Sequence, residues 1–436
     1  MTRRVAVVGG GCSGLACIKC CLDEGLEPVC FESSDDMGGL WRFKTKVLQV
    51  KQRSDFSHSG QWDVETENKN GKKERHIFDA VMICIGHHCD PNMPLQDFPG
   101  IDTFTGKYFH SRDYKTPEEW RNKKAVVIGI GNSGGDIAVE LSRVTKQLYL
   151  STRRGAWILN RAEDNGLPFD LSFSRALDFI TKFLPNSVFC SLGERRLNQR
   201  FDHSLYNLKP KHSQHPTMND DLPNRILSGT IQVKPNICRF QGSSMEFDDG
   251  SVVEDVDLVV FATGYTFSFP FLSSHVISVS ENKTSLYKYV FPPELQRPTL
   301  AIIGLVQPLG AIMPISEMQA RWATRVFKGC TKLPSVDSMM KDIECKKQKM
   351  AQRYVTSSRH TIQVDYISYM DEIAEQVGVR PNILKLLLTD PRLGWNVVFG
   401  PCTPYQYRLR GPGKWAGARQ AILTQWERVV HPMQTR

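Results

Sequence analysis

Two glycine-rich segments contain residues whose types and spacing suit the binding of nucleotide phosphates. In the first, VAVVGGGCSGLACIKCC, glycines at 9, 11 and 14 follow a short apolar run. In such a motif the first glycine permits a tight turn, the second lets the backbone approach a pyrophosphate, and the third lets a helix pack on the strand. The N-terminus of that helix supplies amide donors and the positive end of a dipole. The candidate binding residues of this first glycine turn are Gly9, Gly10, Gly11, Cys12, Ser13 and Gly14.

The second segment, VVIGIGNSGGDIAVELS, repeats the glycine spacing at 129, 131 and 134. It also follows an apolar run and continues into a helical pattern. The candidate binding residues of this second glycine turn are Gly129, Gly131, Asn132, Ser133, Gly134, Gly135 and Asp136. One chain therefore has two candidate dinucleotide sites.

The residues that follow the next strand differ between the two units. Glu32 ends the second predicted strand of the first unit, where a carboxylate accepts both ribose hydroxyls and repels a 2′-phosphate. In the second unit, Arg153 and Arg154 occupy the corresponding place, and guanidinium groups bind phosphate oxygens in pairs. Solvated arginines are the alternative explanation of this pair. The pattern predicts FAD at the first turn and NADPH at the second, in a protein that passes hydride from nicotinamide to flavin.

A glycine pair follows Glu32 in SDDMGGLWRF. Glycines at this place allow the backbone to approach a cofactor closely, although a simple turn would have the same composition. We therefore add Gly39, Leu40 and Trp41 to the candidate residues of the first site.

The elements around these residues predict an α/β fold with two Rossmann-like dinucleotide-binding domains. A strand at 5–8, a helix at 13–23 and a strand at 28–31 form the first unit, and a strand at 125–127 with a helix at 133–142 begins the second. Residues 46–78 have the alternation and turn residues of a β-meander. Two further apolar strands, in HIFDAVMICIGHHCDP and DVDLVVFATGYTF, bracket the second unit. We therefore predict an NADPH domain at 91–257 inserted into a FAD domain, which comprises 1–90, internally shortened, and 258–436 with a C-terminal helical region.

Composition narrows the class of protein. The chain has 436 residues, a net charge of +9 and 41% hydrophobic residues, and its cationic residues are scattered. A solvated basic surface is favoured over a nucleic-acid face, and it is compatible with phosphorylated cofactors or anionic lipid headgroups. The 12 cysteines lack metal-site spacing, which favours reduced thiols facing the cytosol. The longest uncharged stretch is broken by glycine and proline, so we expect no membrane-spanning segment. From the cysteine spacing we expect no metal site, and from the scattered charge no nucleic-acid partner.

A resemblance to a known family rests on FTGKYFHSRDY, which lies just before the second glycine turn. Its residues Phe104, Gly106, His110 and Tyr114 match F-x-G-x-x-x-H-x-x-x-Y, the identifying motif of flavin-containing monooxygenases and the related Baeyer–Villiger enzymes. With GGLWRF, FATGYTFSFPF, SEMQARWATRVFKG and GPCTPYQYRLRGPGKW, the chain resembles a vertebrate flavin-containing monooxygenase over nearly its whole length. The segments STRRGAWILNR, SQHPTMNDDLPNRI and RYVTSSRHTIQ most resemble the fifth mammalian form.

The resemblance implies an activity without a catalytic side chain. In the family, NADPH reduces FAD, dioxygen adds to the reduced flavin, and the resulting hydroperoxide oxygenates small apolar substrates, either soft nitrogen and sulfur nucleophiles or ketones. The protein shields that species from water. His110 and Tyr114 would couple the two domains, with a purely structural role as the alternative for His110. The resemblance also implies the cytosolic face of the endoplasmic reticulum membrane, with peripheral association, and the cytoplasm is the alternative.

The sequence departs from the family at two places. WRFKTKV joins at about 43–44 two ends that in the family are separated by several dozen residues, including an asparagine close to the flavin, and the apolar tail usual in the family does not follow ERVVHPMQTR. Both departures indicate a shortened product. Besides a monooxygenase, the sequence therefore leaves open an uncoupled NADPH oxidase that produces hydrogen peroxide and an inactive nucleotide-binding pseudoenzyme. The sequence predicts neither the substrate nor the oligomeric state.

Overall fold

The computed structural model describes residues 2–33, 45–163, 165–209, 216–353 and 361–434. The strands are β1 Arg4–Val8, β2 Glu27–Phe31, β3 Thr45–Gln52, β4 Trp62–Asn68, β5 Lys73–Phe78, β6 Ala80–Ile83, β7 Asp90–Pro91, β8 Lys107–His110, β9 Lys124–Ile128, β10 Gln147–Ser151, β11 Ile158–Leu159, β12 Thr217–Met218, β13 Ile231–Lys234, β14 Ile237–Gln241, β15 Ser244–Phe247, β16 Val252–Val253, β17 Leu258–Phe261, β18 Tyr265–Thr266, β19 Val279–Ser280, β20 Lys283–Thr284, β21 Leu300–Ile302, β22 Gln307–Pro308 and β23 Gln363–Val364.

The helices are α1 Cys12–Asp23, α2 Phe56–Ser59, α3 Asn132–Leu141, α4 Arg175–Phe183, α5 Asn186–Asn198, α6 Leu222–Leu227, α7 Ile312–Phe327, α8 Val336–Arg353, α9 Tyr366–Val377, α10 Ile383–Thr389, α11 Pro391–Phe399, α12 Ala418–Leu423 and α13 Gln425–Val430. Short 3₁₀ turns occur at Leu95–Asp97, Ile101–Thr103, Glu118–Trp120, Phe169–Ser172, Pro404–Arg408 and His431–Gln434. The helices predicted at 13–23 and 133–142 each begin one residue earlier, as α1 and α3.

The first parallel sheet has the strand order β2-β1-β6-β21. β1 lies in its interior, where Val5 pairs with Pro28 of β2 and with Ala80 of β6. The last four residues of β1 and all of β6 are buried, as expected for parallel strands that are covered on both faces. Helices α1 and α7 pack together on one side of this sheet. The carboxyl ends of these strands therefore meet at one edge, where the first glycine turn lies.

The second parallel sheet has the order β13-β10-β9-β17-β8. Its strand β17 pairs with both β9 and β8. The sequence prediction placed residues 258–261 with the C-terminal part of the FAD domain, and the strand pairing corrects that boundary. The four residues of β17 are fully buried between two strands of the second sheet, so the second unit extends past 257. Two sheets of this kind confirm the predicted fold class.

The predicted meander at 46–78 is confirmed. Strands β3, β4 and β5 form an antiparallel sheet in that order. Trp62, at the start of β4, is fully buried, and its indole nitrogen donates to Thr299 Oγ1 at 2.9 Å. This bond fixes the meander to the segment that leads into β21 of the first sheet.

The C-terminal region is helical, as the sequence predicts. Helix α7 lies in the largest core, where Trp322 packs edge-on against Phe291 at 4.8 Å between ring centroids. Helix α9 contacts α7, and α11 contacts α4 of the second unit. Within the described ranges, no helix has the length and apolar character needed to cross a membrane.

Candidate functional site

The first glycine turn joins β1 to α1 in a conformation that requires glycine. Gly9 has a φ of 101°, and an added Cβ there would lie 2.8 Å from the carbonyl oxygen of Cys84. An added Cβ at Gly14 would overlap the Gly9 carbonyl oxygen, so the third glycine allows α1 to approach the strand. At Gly11, by contrast, an added Cβ would meet no atom within 4 Å. The second glycine therefore faces open space, as expected where a pyrophosphate approaches.

Glu32 lies beside this turn, as predicted. Its Oε2 accepts a hydrogen bond from the Gly10 amide at 2.7 Å. The neighbouring Gly9 amide donates to the Phe31 carbonyl at 2.9 Å, which ties the turn to the end of β2. The carboxylate is thus held next to the N-terminus of α1.

The other predicted residues of the first site divide into two groups. Cys12 is exposed at the start of α1. Ser13 is buried, and its Oγ lies 2.9 Å from Ser316 Oγ on α7, so its side chain points away from the turn and only its backbone amide is available there. Gly39, Leu40 and Trp41 lie outside the described residues.

The second glycine turn repeats the geometry of the first. Gly129 has a φ of 105°, and an added Cβ would lie 2.5 Å from the Ala262 carbonyl oxygen. An added Cβ at Gly134 would overlap the Gly129 carbonyl oxygen, whereas one at Gly131 would meet no atom within 4 Å. Equal spacing in the sequence therefore folds into equal turns.

Some predicted residues of the second turn bind protein rather than face open space. Asn132 Oδ1 accepts from the Met218 amide at 2.8 Å, and Asp136 Oδ1 accepts from Asn219 Nδ2 at 2.8 Å. Gly135 lies against Thr217, 3.1 Å from an added Cβ to the methyl carbon. The segment around β12 thus packs against the second glycine turn. Gly135 and Asp136 contact this segment and do not line a cavity.

A cavity of about 740 Å³ lies in front of the second turn. The second unit contributes the residues Gly129, Gly131, Asn132, Ser133, Gly134, Arg153 and Arg154 to its wall. The first unit contributes His87 and His88, which follow β6, and Gln307, which follows the last strand of the first sheet. Both dinucleotide units therefore border the same cavity.

Arg153 and Arg154 follow the carboxyl end of β10 and are both exposed at the rim of this cavity. Neither forms an ion pair with another residue in the described ranges. Two guanidinium groups without carboxylate partners are therefore available beside the second glycine turn.

The FTGKYFHSRDY motif lies inside the second unit. Phe104 belongs to a buried cluster there, and Gly106 is required because an added Cβ would lie 2.8 Å from the Asp257 carbonyl oxygen. The hydroxyl of Tyr114 lies near Glu140, and burial, with Glu140, raises the pKa of Tyr114. The motif thus stabilises the strand and the turns before β9.

His110 connects this motif to the cavity. Its Nδ1 accepts from the Arg112 amide at 3.1 Å, so its Nε2–H donates to the Gly264 carbonyl at 2.9 Å. Burial lowers the pKa of His110, which favours this neutral tautomer. Gly264 lines the cavity, and His110 therefore holds part of its wall through the backbone.

Sequence reasoning missed two histidines of the cavity wall. The rings of His87 and His88 are 4.2 Å apart, and His88 lies 4.8 Å from the ring of Tyr265. Burial, with the neighbouring His88, lowers the pKa of His87 to about 4. The available signal was the histidine pair in CIGHHCDP, directly after a buried strand.

Comparison with known proteins identifies the family. A family model described as flavin-binding monooxygenase-like matches residues 2–46 and 42–436. The chain belongs to the flavin-binding monooxygenase-like family. It is 52% identical to flavin-containing monooxygenase 5 from Rattus norvegicus, in an alignment of 501 positions that covers 100% of this chain and 94% of the relative. The predicted resemblance is confirmed, and the chain is an enzyme of the flavin-containing monooxygenase class.

Solved structures of similar fold agree with the two-domain architecture. S-allyl-L-cysteine S-oxygenase from Allium sativum has a TM-score of 0.63 and 20% identity, with 99% of both chains covered. A cyclohexanone monooxygenase from Rhodococcus sp. Phi1, bound to NADP⁺, has a TM-score of 0.61 and 14% identity, with 87% of this chain and 98% of that chain covered.

The comparison also locates a gap in this family member. The alignment with the rat relative has 501 positions, whereas this chain has 436 residues. The two segments matched by the family model meet at residues 42–46. This chain therefore lacks an internal segment of its relatives, at the junction that the sequence predicts near 43–44.

Proposed function

We propose that the chain binds FAD at the first glycine turn and NADPH at the second, and that it oxygenates small apolar substrates with dioxygen. The observation that carries this proposal is the cavity of about 740 Å³ that both units border. A nicotinamide ring that extends from the second turn into this cavity would approach the carboxyl edge of the first sheet, where ligands of such sheets bind.

The residues of the first turn fit a flavin dinucleotide. The first amides of a helix have no partner within the helix, and α1 begins next to the open space at Gly11. Glu32, fixed by the Gly10 amide, brings a carboxylate to the place where ribose hydroxyls would donate. A 2′-phosphate at the same place would be repelled.

The residues of the second turn fit a phosphorylated dinucleotide. The amides at the start of α3 serve the pyrophosphate, and Arg153 and Arg154 lie on the rim of the same cavity to bind a 2′-phosphate. The cavity wall contributed by Gly264 is held in place by His110. This pairing of an acid at one turn with two cations at the other gives each turn a different dinucleotide.

The two cofactors, when bound, supply hydride transfer and the activation of dioxygen. The chain then has to orient the two rings and exclude water from the space between them. Soft nitrogen or sulfur nucleophiles and ketones are the proposed substrates. Because an internal segment of the relatives is missing, the exclusion of water is the function that this gap would impair first. The second candidate is therefore an NADPH oxidase that releases hydrogen peroxide. A nucleotide-binding protein without turnover is the third.

One experiment separates these candidates. The purified chain is saturated with FAD, and NADPH loss, hydrogen peroxide and oxygenated product are measured with a thioether, with a ketone and without substrate. Oxygenated product equal to the NADPH consumed supports the monooxygenase. NADPH loss matched by peroxide under all conditions supports the oxidase, and the absence of bound flavin in the visible spectrum contradicts both.

Exposed apolar side chains support a proposal that the enzyme associates peripherally with a membrane, at the cytosolic face of the endoplasmic reticulum. On α4, Phe179 and Phe183 are 63% and 73% exposed, and their rings are 4.7 Å apart. On α11, which contacts α4, Trp395 and Phe399 form a similar exposed pair. Neighbouring helices thus present large apolar side chains to solvent, as interfacial helices do.

A further inference from the structure

A second cavity, of about 580 Å³, lies at the other end of α1 from the first glycine turn. Its wall includes Lys19 on α1, Arg321 on α7, and Arg408, Lys414 and Trp415 from the C-terminal region. Lys19 is seven residues after the first residue of α1, about 10 Å along the axis. In the described part of the chain, none of its wall residues also lines the nucleotide cavity. We call it the α1–α7 cavity.

The carboxylates in the wall of the α1–α7 cavity already have cationic partners. The pairs are Asp23 with Lys19, Glu24 with Arg325, and Glu317 with Arg408. Lys414 and Arg321 form no ion pair with a residue in the described ranges. The wall therefore has an excess of positive charge.

Arg321 is the most buried of these cations, with 8% of its surface exposed. Its guanidinium donates to the carbonyl oxygens of Tyr407 and Pro412, the latter at 2.8 Å. Burial, with the neighbouring Arg408, lowers the pKa of Arg321 against the opposing effects of Glu317 and Asp23. Carbonyl oxygens satisfy its donors but do not neutralise its charge, and a buried charge without a directly paired carboxylate is costly. An anion in the cavity would reduce that cost.

The backbone of the segment 411–415 is held by hydrogen bonds from Arg321 and Arg408. Arg408 Nη1 donates to the Gly413 carbonyl at 3.0 Å, and an added Cβ at Gly413 would lie 2.7 Å from the same nitrogen. This close contact fixes the backbone that carries Lys414 and Trp415. Trp415 is 49% exposed, and its ring lies 5.9 Å from the ring of Tyr405. A cation and an aromatic surface are thus presented together at the cavity mouth.

We propose that the α1–α7 cavity binds an organic anion, a phosphomonoester that carries an aromatic ring. The phosphate lies in the positive field of Arg321 and Lys414, and the ring stacks on Trp415. This binding is separate from that of FAD and NADPH, and it does not depend on the proposed activity.

The test is calorimetric titration of phenyl phosphate and of inorganic phosphate into the full chain, with FAD and NAD⁺ present at saturation to fill the nucleotide turns. NAD⁺ replaces NADP⁺ because its phosphates are diesters, so it is not itself a phosphomonoester. We expect saturable binding of phenyl phosphate, and weaker binding of inorganic phosphate. Lys414→Glu should weaken both by about tenfold or more, because a charge-assisted contact becomes a repulsion. Trp415→Ala should weaken only phenyl phosphate, by about threefold to tenfold. The control is Lys69→Glu, the same charge change at an exposed turn between β4 and β5.

Three results would overturn the proposal. They are the absence of saturable binding, equal affinities in the native chain and both cavity variants, and an equal loss of affinity in Lys69→Glu. Circular dichroism monitors the fold of each variant, and two independent cavity variants keep the test decisive if one of them unfolds.

Discussion

At the residue scale, charge next to each glycine turn distinguishes the two sites. Glu32 and the Arg153–Arg154 pair were predictable because each follows a strand whose end is fixed relative to the turn. The roles of Ser13 and Asp136 were not predictable. Both lie in the first turn or two of a helix, and only the tertiary neighbours, Ser316 and Asn219, decide which way such side chains point.

The arginine pair gives the first prediction. Replacing both Arg153 and Arg154 with Ala should weaken NADP⁺ by about tenfold or more, because charge-assisted hydrogen bonds to the 2′-phosphate are lost. NAD⁺ lacks that phosphate and should bind as before. Calorimetric titration of both nucleotides measures this directly, with Lys69→Ala together with Lys73→Ala as a matched loss of two surface charges. Equal weakening of both nucleotides would contradict the assignment of the second turn.

His203 gives a prediction about pH. It is fully buried, its Nε2 accepts from the Ile158 amide at 2.9 Å, and its Nδ1 lies 3.0 Å from Asn198 Oδ1, an arrangement that suits the neutral ring. Burial lowers its pKa from 6.5 to about 4, against the opposing effects of the Phe201 backbone, Asp202 and Glu194. Because the unfolded chain binds this proton more readily, the stabilisation is complete above about pH 6.5 and is lost as the pH falls toward about 4.

The measurement compares the native chain with His203→Gln. At about pH 7.5 the variant should melt at a lower temperature, since it loses a fitted buried ring. At about pH 5 the difference in melting temperature should narrow. Protonation of His203 in the unfolded state destabilises the folded native chain, and the Gln variant has no such proton to bind. His58→Gln, at an exposed position, serves as the control. A gap that stays constant or widens on acidification would show that His203 is not held neutral.

At the element scale, the strand–turn–helix units were predictable, whereas the sheet that contains β17 was not. Spacing of glycines and apolar runs predicted β1, α1, β9 and α3 to within a residue or so. The strand β17 was assigned to the wrong sheet, because a buried run such as LVVF fits the interior of either one. The pairing of β17 with β8 and β9 decides between the two sheets. Strands this far apart in the sequence cannot be recognised as partners from the local residue pattern.

The geometry of the first turn gives a matched pair of glycine variants. Gly11→Ala should fold normally, since the φ of Gly11 is −69° and an added Cβ meets nothing within 4 Å. Its methyl group would nevertheless lie where the pyrophosphate approaches, so FAD retention should fall. Gly14→Ala should lower the free energy of unfolding by about 1–3 kcal/mol, because its Cβ overlaps the Gly9 carbonyl oxygen.

Thermal melting of the flavin-free chain and the flavin absorbance after gel filtration separate the two effects. Gly131→Ala and Gly134→Ala repeat the comparison at the second turn, with NADP⁺ affinity in place of flavin content. If Gly11→Ala kept its flavin, or if both alanine variants of one turn melted alike, the division of roles between the glycines would be wrong.

At the scale of the whole molecule, the chain keeps both dinucleotide units and their shared cavity although it lacks an internal segment of its relatives. The units persist because each has its own sheet and its own buried cluster. The gap falls between β2 and β3, next to the first turn, so it would affect the surroundings of a flavin bound as proposed rather than the sheets. Binding of nucleotides and coupling of oxygen transfer can therefore fail independently.

The apolar helices give the last prediction, on membrane association. Replacing Phe179, Ile180 and Phe183 of α4 with Ser should reduce binding to vesicles of neutral and anionic phospholipid by about tenfold or more, because each ring or alkyl group would otherwise leave water. Co-sedimentation measures the bound fraction. Leu227→Ser with Val252→Ser removes exposed apolar groups from α6 and β16 and should leave binding unchanged. Vesicle binding that is the same in both variants would show that α4 does not face the lipid.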